Sequence, residues 1–338
     1  MTIKPKVSVI MPAFNCGRYI REAMSSVIAQ TYKELELIVV DDGSKDNTAE
    51  IVSDFIKENG QYAVRYIYQG NKGAAAARNA GIVKAAGEYI AFLDCDDVWL
   101  PHKLAVQMPL LEKDKSAGLV FGDAVSFGEG CTKPITASET FDLAGTDKNI
   151  SRLFAANYIP ILTVVARRSC FERSGLFDES VAIVEDYDLW LRIAKYYRLV
   201  YADSLVAKYR VHPGNISRIT GDKEEKLLLD MIKIRRRALE QNPGIARELS
   251  AGGLRRCYYK LYLNLATFYL KCGARDKARV NIARYISLCP YDPVPYLLFL
   301  LSYAPSRAYG AVLRARDYVF GKQGEKTCAT RHAFYSER

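Results

Sequence analysis

Two runs near the start of the chain are apolar at all but their second positions, Ser8 and Glu36, rather than alternating throughout. Val7–Met11 is β-branched and closed by Pro12, and Leu35–Val40 is closed by Asp41 and Asp42. Runs this rich in apolar residues fit strands buried on both faces, as in a parallel sheet. Helical periodicity follows each. Tyr19–Gln30 places Ile20, Met24, Val27 and Ile28 on one face, and Asn47 stands where it would cap a helix whose Ile51, Val52, Phe55 and Ile56 point inward. A third strand is expected over Ala63–Tyr68, then an alanine-rich helix Ala74–Ala86 with Gly87 as its C-terminal cap, then a strand Glu88–Leu93. Strands alternating with helices predict βαβ units and an α/β fold.

Further along, the pattern predicts a helix over Pro101–Leu111, a strand over Gly118–Phe127, a polar loop over the site reaching about Asn149, a strand Ile161–Ala166, a helix Asp188–Tyr197 and a strand Leu199–Tyr209. Beyond Gly221 the periodicity is helical to near Val319. A boundary near residue 220 follows, with one α/β domain over 1–220 and a mainly helical region over 221–338. Within that region Leu265 to Pro290 reads as one hairpin of the tetratricopeptide kind, with Gly273 in its turn. Solenoids of such hairpins need about three or more units. Val294–Tyr303 is apolar but far shorter than the roughly twenty residues that span a bilayer, so the segment near 294–318 is expected to lie on an interface rather than cross it.

Composition sharpens this picture in two ways. With 49% hydrophobic and 25% charged residues the chain is an ordinary globular one, which excludes wholesale disorder and a polytopic membrane protein. The net charge of +10 is lopsided: residues 1–221 carry 26 Lys and Arg against 27 Asp and Glu, whereas residues 222–338 carry 22 against 11. A basic appendage on a neutral body points to an anionic surface, and no nucleic-acid-binding motif accompanies the charge, so a membrane leaflet is the expected partner. The eight cysteines stand singly with no C-x-x-C pair, and Met1–Lys6 is polar, without the charged start and apolar middle of a leader. A reducing, cytoplasmic setting, peripheral at the inner face of a membrane, is the expectation.

The chemistry gathers where strands end. Ligands of open α/β sheets sit beyond the carboxyl ends of the strands, and here two strands end in paired carboxylates, Asp41-Asp42 and Asp94-Cys-Asp-Asp. Taken singly, such clusters are common helix caps. Taken in order, Val7-Ser-Val-Ile-Met-Pro-Ala-Phe-Asn, Val39-Val-Asp-Asp-Gly-Ser, Asn71-Lys-Gly-Ala-Ala-Ala-Ala-Arg-Asn-Ala-Gly, Gly87-Glu-Tyr-Ile-Ala-Phe-Leu-Asp-Cys-Asp-Asp and Glu185-Asp-Tyr-Asp-Leu-Trp resemble the family-2 glycosyltransferases over about residues 5–220.

The resemblance implies a GT-A type nucleotide-binding domain with a central, mainly parallel sheet, acting on a nucleoside-diphosphate sugar, with a UDP-sugar expected. Asp41 and Asp42 match the pair that contacts base and ribose, and Pro12, Phe14, Lys72, Arg78 and Asp94 complete the implied donor contacts. Asp94 and Asp96 match the D-x-D element that holds Mg2+ or Mn2+ against the diphosphate, with Asp96 the nearest ligand; His212, in a Y-R-x-H element, is a further metal candidate. Asp186 matches the general base, implying inversion at the anomeric carbon; near a reference pKa of about 3.9 it would be a weak base. Trp99 and Trp190 are expected to pack rather than stack on sugar, and Cys95 to fill apolar space. The acceptor is expected to be a glycan or lipid-linked hydroxyl in cell-surface glycan or polysaccharide assembly. The rival readings are a sugar-nucleotide pyrophosphorylase, whose glycine-rich first loop is replaced here by Pro12-Ala-Phe-Asn-Cys-Gly, and a non-catalytic scaffold, against which the complete acidic set speaks.

Overall fold

A computed structural model describes residues 5–128, 133–135, 149–181, 183–215 and 221–303. The chain divides into two compact units, Met1–Ile150 with Asn157–Asn215, and Ser151–Ala156 with Ile216–Arg338.

In the first unit the apolar runs become β1 (Val7–Ala13), β2 (Leu35–Asp41), β3 (Val64–Tyr68) and β4 (Tyr89–Phe92), all parallel. Helices α1 (Ile20–Ile28), α2 (Thr48–Glu58) and α3 (Ala74–Lys84) connect them. Then come β5 (Val98–Trp99), α4 (Lys103–Lys113), β6 (Ala117–Gly128), β7 (Lys133–Ile135), α5 (Asn149–Ala155, which from Ser151 on belongs to the second unit), β8 (Val165–Arg167), α6 (Arg168–Ser174), α7 (Glu185–Ala194) and β9 (Arg198–Val211). The sheet order is β3-β2-β1-β4-β8-β6-β9-β5, with β7 beside β6. Tracing the pairings, β1, β2, β3, β4, β6 and β9 run one way, and β5, β7 and β8 run against them. The sheet is mainly parallel, and the core lies where Val9, Met11, Leu37 and Val39 meet α1 and α2.

Several local expectations are corrected. β1 runs past Met11 through Pro12. The Val7 N–H donates to Glu34 on the β2 side, so by alternation the Pro12 nitrogen faces β4, whose pairing has ended at Ile10; no ladder bond is lost. Asn47 stands at the N-cap of α2 without a capping bond, its amide turned toward Gly17; Asp46 takes over, accepting from the Thr48 N–H at 3.1 Å. Helix α3 ends at Lys84, so Gly87 is no cap. It is required because a Cβ there would lie 2.7 Å from the Ser8 nitrogen, where the start of β4 presses on β1. Ile161–Thr163 is a 3-10 turn, with Thr163 folded back onto the Pro160 carbonyl, and only Val165–Arg167 is strand. Helix α7 begins at Glu185, not Asp188, since carboxylates are favoured in a first turn facing the helix dipole. Trp99 and Trp190 are buried, and Cys95 packs half-buried against the core.

Helix α3 packs closely on the sheet at Gly81, where a Cβ would meet Ile10 Cγ2 at 2.5 Å. Alanine is the better helix former by about 1 kcal/mol. Ile10 is 0% exposed and has nowhere to recede, so overpacking wins, and Gly81→Ala is expected to destabilise the fold by about 1–3 kcal/mol. A urea midpoint at or above that of the wild type would contradict this tight packing.

The second unit holds α8 (Asp222–Gln241), α9 (Gly244–Lys271, kinked at Ser250), α10 (Arg275–Leu288) and α11 (Pro293–Leu301). α9 and α10 form a hairpin through Gly273, with Tyr259 stacked on Tyr285 at 5.4 Å. Asp292 caps α11 by accepting the Val294 N–H at 2.9 Å. Pro295 and Leu298 are buried, while Leu297 and Leu300 on the other side are 55% and 70% exposed. Among the described residues no helix is long and apolar enough to cross a membrane. Most of the polar stretch before Asn149, and everything expected beyond Tyr303, lies outside the described residues.

Candidate functional site

The carboxyl ends of β1, β2 and β4 bring the acidic pairs together with the start of α7. Asp41, the last residue of β2, is buried; its Oδ1 accepts from the Ser44 N–H at 2.8 Å and its Oδ2 from the Tyr66 hydroxyl at 2.7 Å. Burial, and then that bond, push the Tyr66 phenol well up from its ordinary value. Asp42 organises the loop leading into α3: Oδ1 accepts from Gln69 Nε2 at 2.7 Å and the Lys72 N–H at 2.9 Å, and Oδ2 from the Gly73 N–H at 2.7 Å. Lys72 thus contributes its backbone to the loop while its side chain is exposed. Beside them Pro12 is buried, and Phe14, just past β1, presents a ring that is 47% exposed.

Arg78 is the hinge pin of the arrangement. Although it sits on a helix, it is only 4% exposed. Its Nη1 donates to Glu185 Oε1 at 2.6 Å and its Nη2 to Asp94 Oδ1 at 2.7 Å, joining the end of β4 to the start of α7. Two carboxylates around a buried guanidinium keep it protonated against the burial that opposes its charge. Arg78 Nε and Glu185 Oε2 are buried with no hydrogen-bond partner. Orphaned polar atoms of this kind point to a water or ligand that completes the site.

Asp96 and Asp97 are held from the end of β9. His212 Nε2 lies 2.9 Å from Asp96 Oδ2, and the Gly214 N–H donates to His212 Nδ1 at 3.1 Å. Nδ1 is therefore the unprotonated nitrogen and Nε2 the donor, so in this arrangement His212 orients Asp96 and has no lone pair aimed at a cation. Arg210 donates its N–H to Asp97 Oδ1 at 2.8 Å and its Nε to the Asp96 carbonyl at 2.7 Å. Burial first and the crowding of Asp94 second push the Asp96 carboxyl up, and burial with both neighbours pushes Asp97 well up. The loop is short of positive charge.

Among the described residues no three His, Cys, Asp or Glu side chains converge as a closed coordination set. Asp94, Asp96 and His212 do not form one. What remains is a pair of hard oxygen donors that repel one another beside a buried cation. This fits Mg2+ or Mn2+, which are held by one or two carboxylates and complete their shell with water and substrate phosphate. Asp94 and Asp96 are the residues that would hold it.

Asp186, second in α7, accepts from the Tyr187 N–H at 2.6 Å and from Asn157 Nδ2 at 3.4 Å. Burial, and then the charge of Glu185, push its carboxyl up to about 7, far from the weak base expected near the reference value. Tyr66, Asn157 and Arg210 were not singled out by the sequence. Arg210 alone carried a signal, standing two residues before His212 in the Y-R-x-H element.

Comparison with known proteins adds to this geometry. Residues 8–157 match the family model described as Glycosyl transferase family 2. The chain is 34% identical over 214 residues to an uncharacterised glycosyltransferase of Rickettsia prowazekii, covering 62% of this chain and 64% of that one. A second relative from Rickettsia typhi is 34% identical over 217 residues, covering 62% of this chain and 65% of its own length. The chain therefore spans less than two thirds of these two relatives. It is 31% identical over 214 residues to the Escherichia coli UDP-Glc:alpha-D-GlcNAc-diphosphoundecaprenol beta-1,3-glucosyltransferase WfaP, covering 62% of this chain and 79% of WfaP. In fold it is similar to residues 1–349 of S. aureus TarS in complex with UDP-GlcNAc, with TM-score 0.57, 18% identity and coverage of 84% and 90%. It is also similar to the mannosyltransferase PcManGT from Pyrobaculum calidifontis in complex with GDP-Man and Mn2+, with TM-score 0.58, 20% identity and coverage of 95% and 89%.

Proposed function

Because this chain belongs to glycosyltransferase family 2 and has the GT-A fold, we propose that it moves a sugar from a nucleoside-diphosphate donor to an acceptor hydroxyl, with inversion at the anomeric carbon. The observation that carries the reading is the Arg78 bridge, which ties the Asp94 carboxylate to the helix start that bears Asp186. Opposite demands meet across that bridge. The leaving diphosphate needs positive charge, which Arg78 supplies, while the attacking hydroxyl needs a proton acceptor, which Asp186 supplies with its pKa raised to about 7. A carboxyl tuned to that value is a competent base near neutral pH.

In this reading Asp41 and Phe14 receive the base and ribose, Asp42 fixes the loop through Lys72, and Asp94 and Asp96 hold Mg2+ or Mn2+. Such an ion, when bound, neutralises charge on the departing diphosphate. Support for a UDP-sugar comes from the UDP-Glc in the name of the E. coli relative and the UDP-GlcNAc complex of TarS; that relative's diphosphoundecaprenol acceptor also favours a lipid-linked glycan. The stereochemical test needs no acceptor. The sugar released to water from an α-linked donor should appear first as the β-anomer by NMR; release as the α-anomer would contradict inversion.

A lipid-linked acceptor suits a peripheral contact with the anionic inner leaflet. Its support is the 22 Lys and Arg against 11 Asp and Glu in residues 222–338, with the exposed Leu297 and Leu300 of α11. Arg307, Arg314 and Arg316 of the expected interfacial segment lie outside the described residues. Each basic residue near such a surface contributes about 1 kcal/mol, and a short apolar helix adds to it without spanning. The full chain should co-sediment with anionic vesicles at low salt, less so at high salt, and less with Leu297→Glu and Leu300→Glu combined. Equal sedimentation with neutral lipid would remove the preference for an anionic leaflet, and sedimentation with neither would remove the membrane role.

A further inference from the structure

Helix α3 carries two consecutive buried polar residues, and the chemistry above uses only the first. Asn79 is 7% exposed. Its Nδ2 donates to the Phe177 carbonyl at 3.0 Å and to Glu179 Oε1 at 2.9 Å, while its Oδ1 accepts the Phe177 N–H at 3.0 Å. Both amide N–H groups and the amide oxygen are engaged, and the side chain pairs with Phe177 as a neighbouring strand would. The segment it grips precedes α7 in the chain and is also fastened to α7 itself. Arg192 of that helix donates to the Ser174 carbonyl and, at 2.7 Å, to the Leu176 carbonyl, while its Nε donates to Asp188 Oδ2 at 2.9 Å. The Phe177 ring packs edge-on against Phe92 at 5.5 Å and lies 5.7 Å from the Arg78 guanidinium. Residues Ser174–Glu179 are thus a strap between the two helices.

Helices α3 and α7 are therefore joined twice, and the two joints respond differently to an anionic donor. A diphosphate competes with Glu185 and Asp94 for the Arg78 guanidinium, so the ionic joint loosens as the donor arrives. The joint at Asn79 offers the donor no cation, its one charged member being the Glu179 carboxylate, so an anion does not compete for it. We propose that Asn79 is a positioning residue for the base: it holds the strap, and through it the first turn of α7, in place while Arg78 is engaged by the donor. This rests on the reading of Asp186 as the base. Asn79 itself touches no reacting group.

The test uses the full chain with Asn79→Ala, with Asn79→Asp, and with Asn79→Asp combined with Glu179→Gln. Hydrogen exchange is followed in peptides covering Ser174–Val181 and Glu185–Ala194, affinity is measured for UDP and GDP with Mn2+, and turnover is read as sugar release to water. Asn79→Ala should speed exchange in both peptides by about tenfold or more, because two buried hydrogen bonds and a part-buried one are lost. It should lower kcat by about 10–100-fold, the effect of a slightly misplaced group, with donor KM and nucleotide affinity nearly unchanged. Asn79→Asp sets a carboxylate against Glu179 and should be worse; adding Glu179→Gln supplies a donor in the reverse direction and should recover part of the turnover. Unchanged exchange, unchanged kcat, or an equal fall in nucleotide affinity and kcat would each overturn the proposal. A wild-type chain that turned over no nucleotide sugar would instead contradict the function, and the exchange measurement would still decide the strap.

Discussion

Asp186→Asn is expected to slow sugar transfer by about 10²–10⁴-fold while leaving donor affinity near that of the wild type, because the lost group acts on the acceptor hydroxyl and not on the nucleotide. Asparagine keeps the oxygen that accepts the Tyr187 N–H, so the start of α7 should persist. The pH dependence gives a second signature. With its carboxyl pushed up to about 7, Asp186 is protonated and idle below that value, so log kcat should rise with pH and level off above about 7. The variant should lose this limb. Stability moves the opposite way. The folded carboxyl titrates above the unfolded value of about 3.9, so this group weakens the fold as pH rises from about 4 to 7, and Asp186→Asn removes that penalty. A variant at pH 8 that melts no earlier than the wild type yet turns over normally would exclude Asp186 as the base; an equal loss of donor binding and turnover would mark it as a donor contact.

Asp96→Asn is expected to weaken divalent-cation-dependent nucleotide binding by at least about 10–100-fold, since even residues one step removed from a metal change affinity by that much. The carboxylate is already at a disadvantage, pushed up by burial and by Asp94, which a bound divalent cation would relieve. Its orientation depends on His212 and on Arg210, which grips the Asp96 carbonyl, so the amide of the variant should occupy the same place and the loss should be electrostatic. Calorimetry with UDP and Mn2+, with and without chelator, reads this directly. Full nucleotide affinity in excess chelator, or an Asp96→Asn variant that binds as the wild type does, would remove the ion from the account.

What was legible in the sequence was local. Val7–Met11 and Leu35–Val40 announce buried parallel strands because all but Ser8 and Glu36 in them are apolar, and the carboxylates that follow are placed by the strand ends alone. What was not legible depends on partners far away in the chain. The resemblance marks Arg78 as a donor contact, but its bridge between Asp94 and Glu185, 16 and 107 residues away, has no local signal. Nothing around Asn79 foretells its pairing with a backbone 98 residues on. The elevated carboxyl of Asp186 is a property of its burial and of Glu185, neither of which a reference pKa contains. Gly87 reads as a helix stop because glycine often is one, yet its reason is a strand pressing on its backbone. The run after Val294 was plainly apolar, but only the fold of the second unit shows that Pro295 and Leu298 turn inward and leave Leu297 and Leu300 outside.

Transfer from a nucleotide sugar by these carboxylates and Arg78 is open to direct measurement. The purified full chain is presented with UDP-, GDP- and dTDP-sugars in the presence of Mn2+, and sugar release is followed for the wild type beside Asp186→Asn. Turnover is expected to be confined to one nucleotide class, with UDP-sugars foremost, and to be lost in Asp186→Asn with nucleotide affinity retained. Absence of binding and release across the whole panel, or condensation of a sugar phosphate with a nucleoside triphosphate by the same protein, would contradict it.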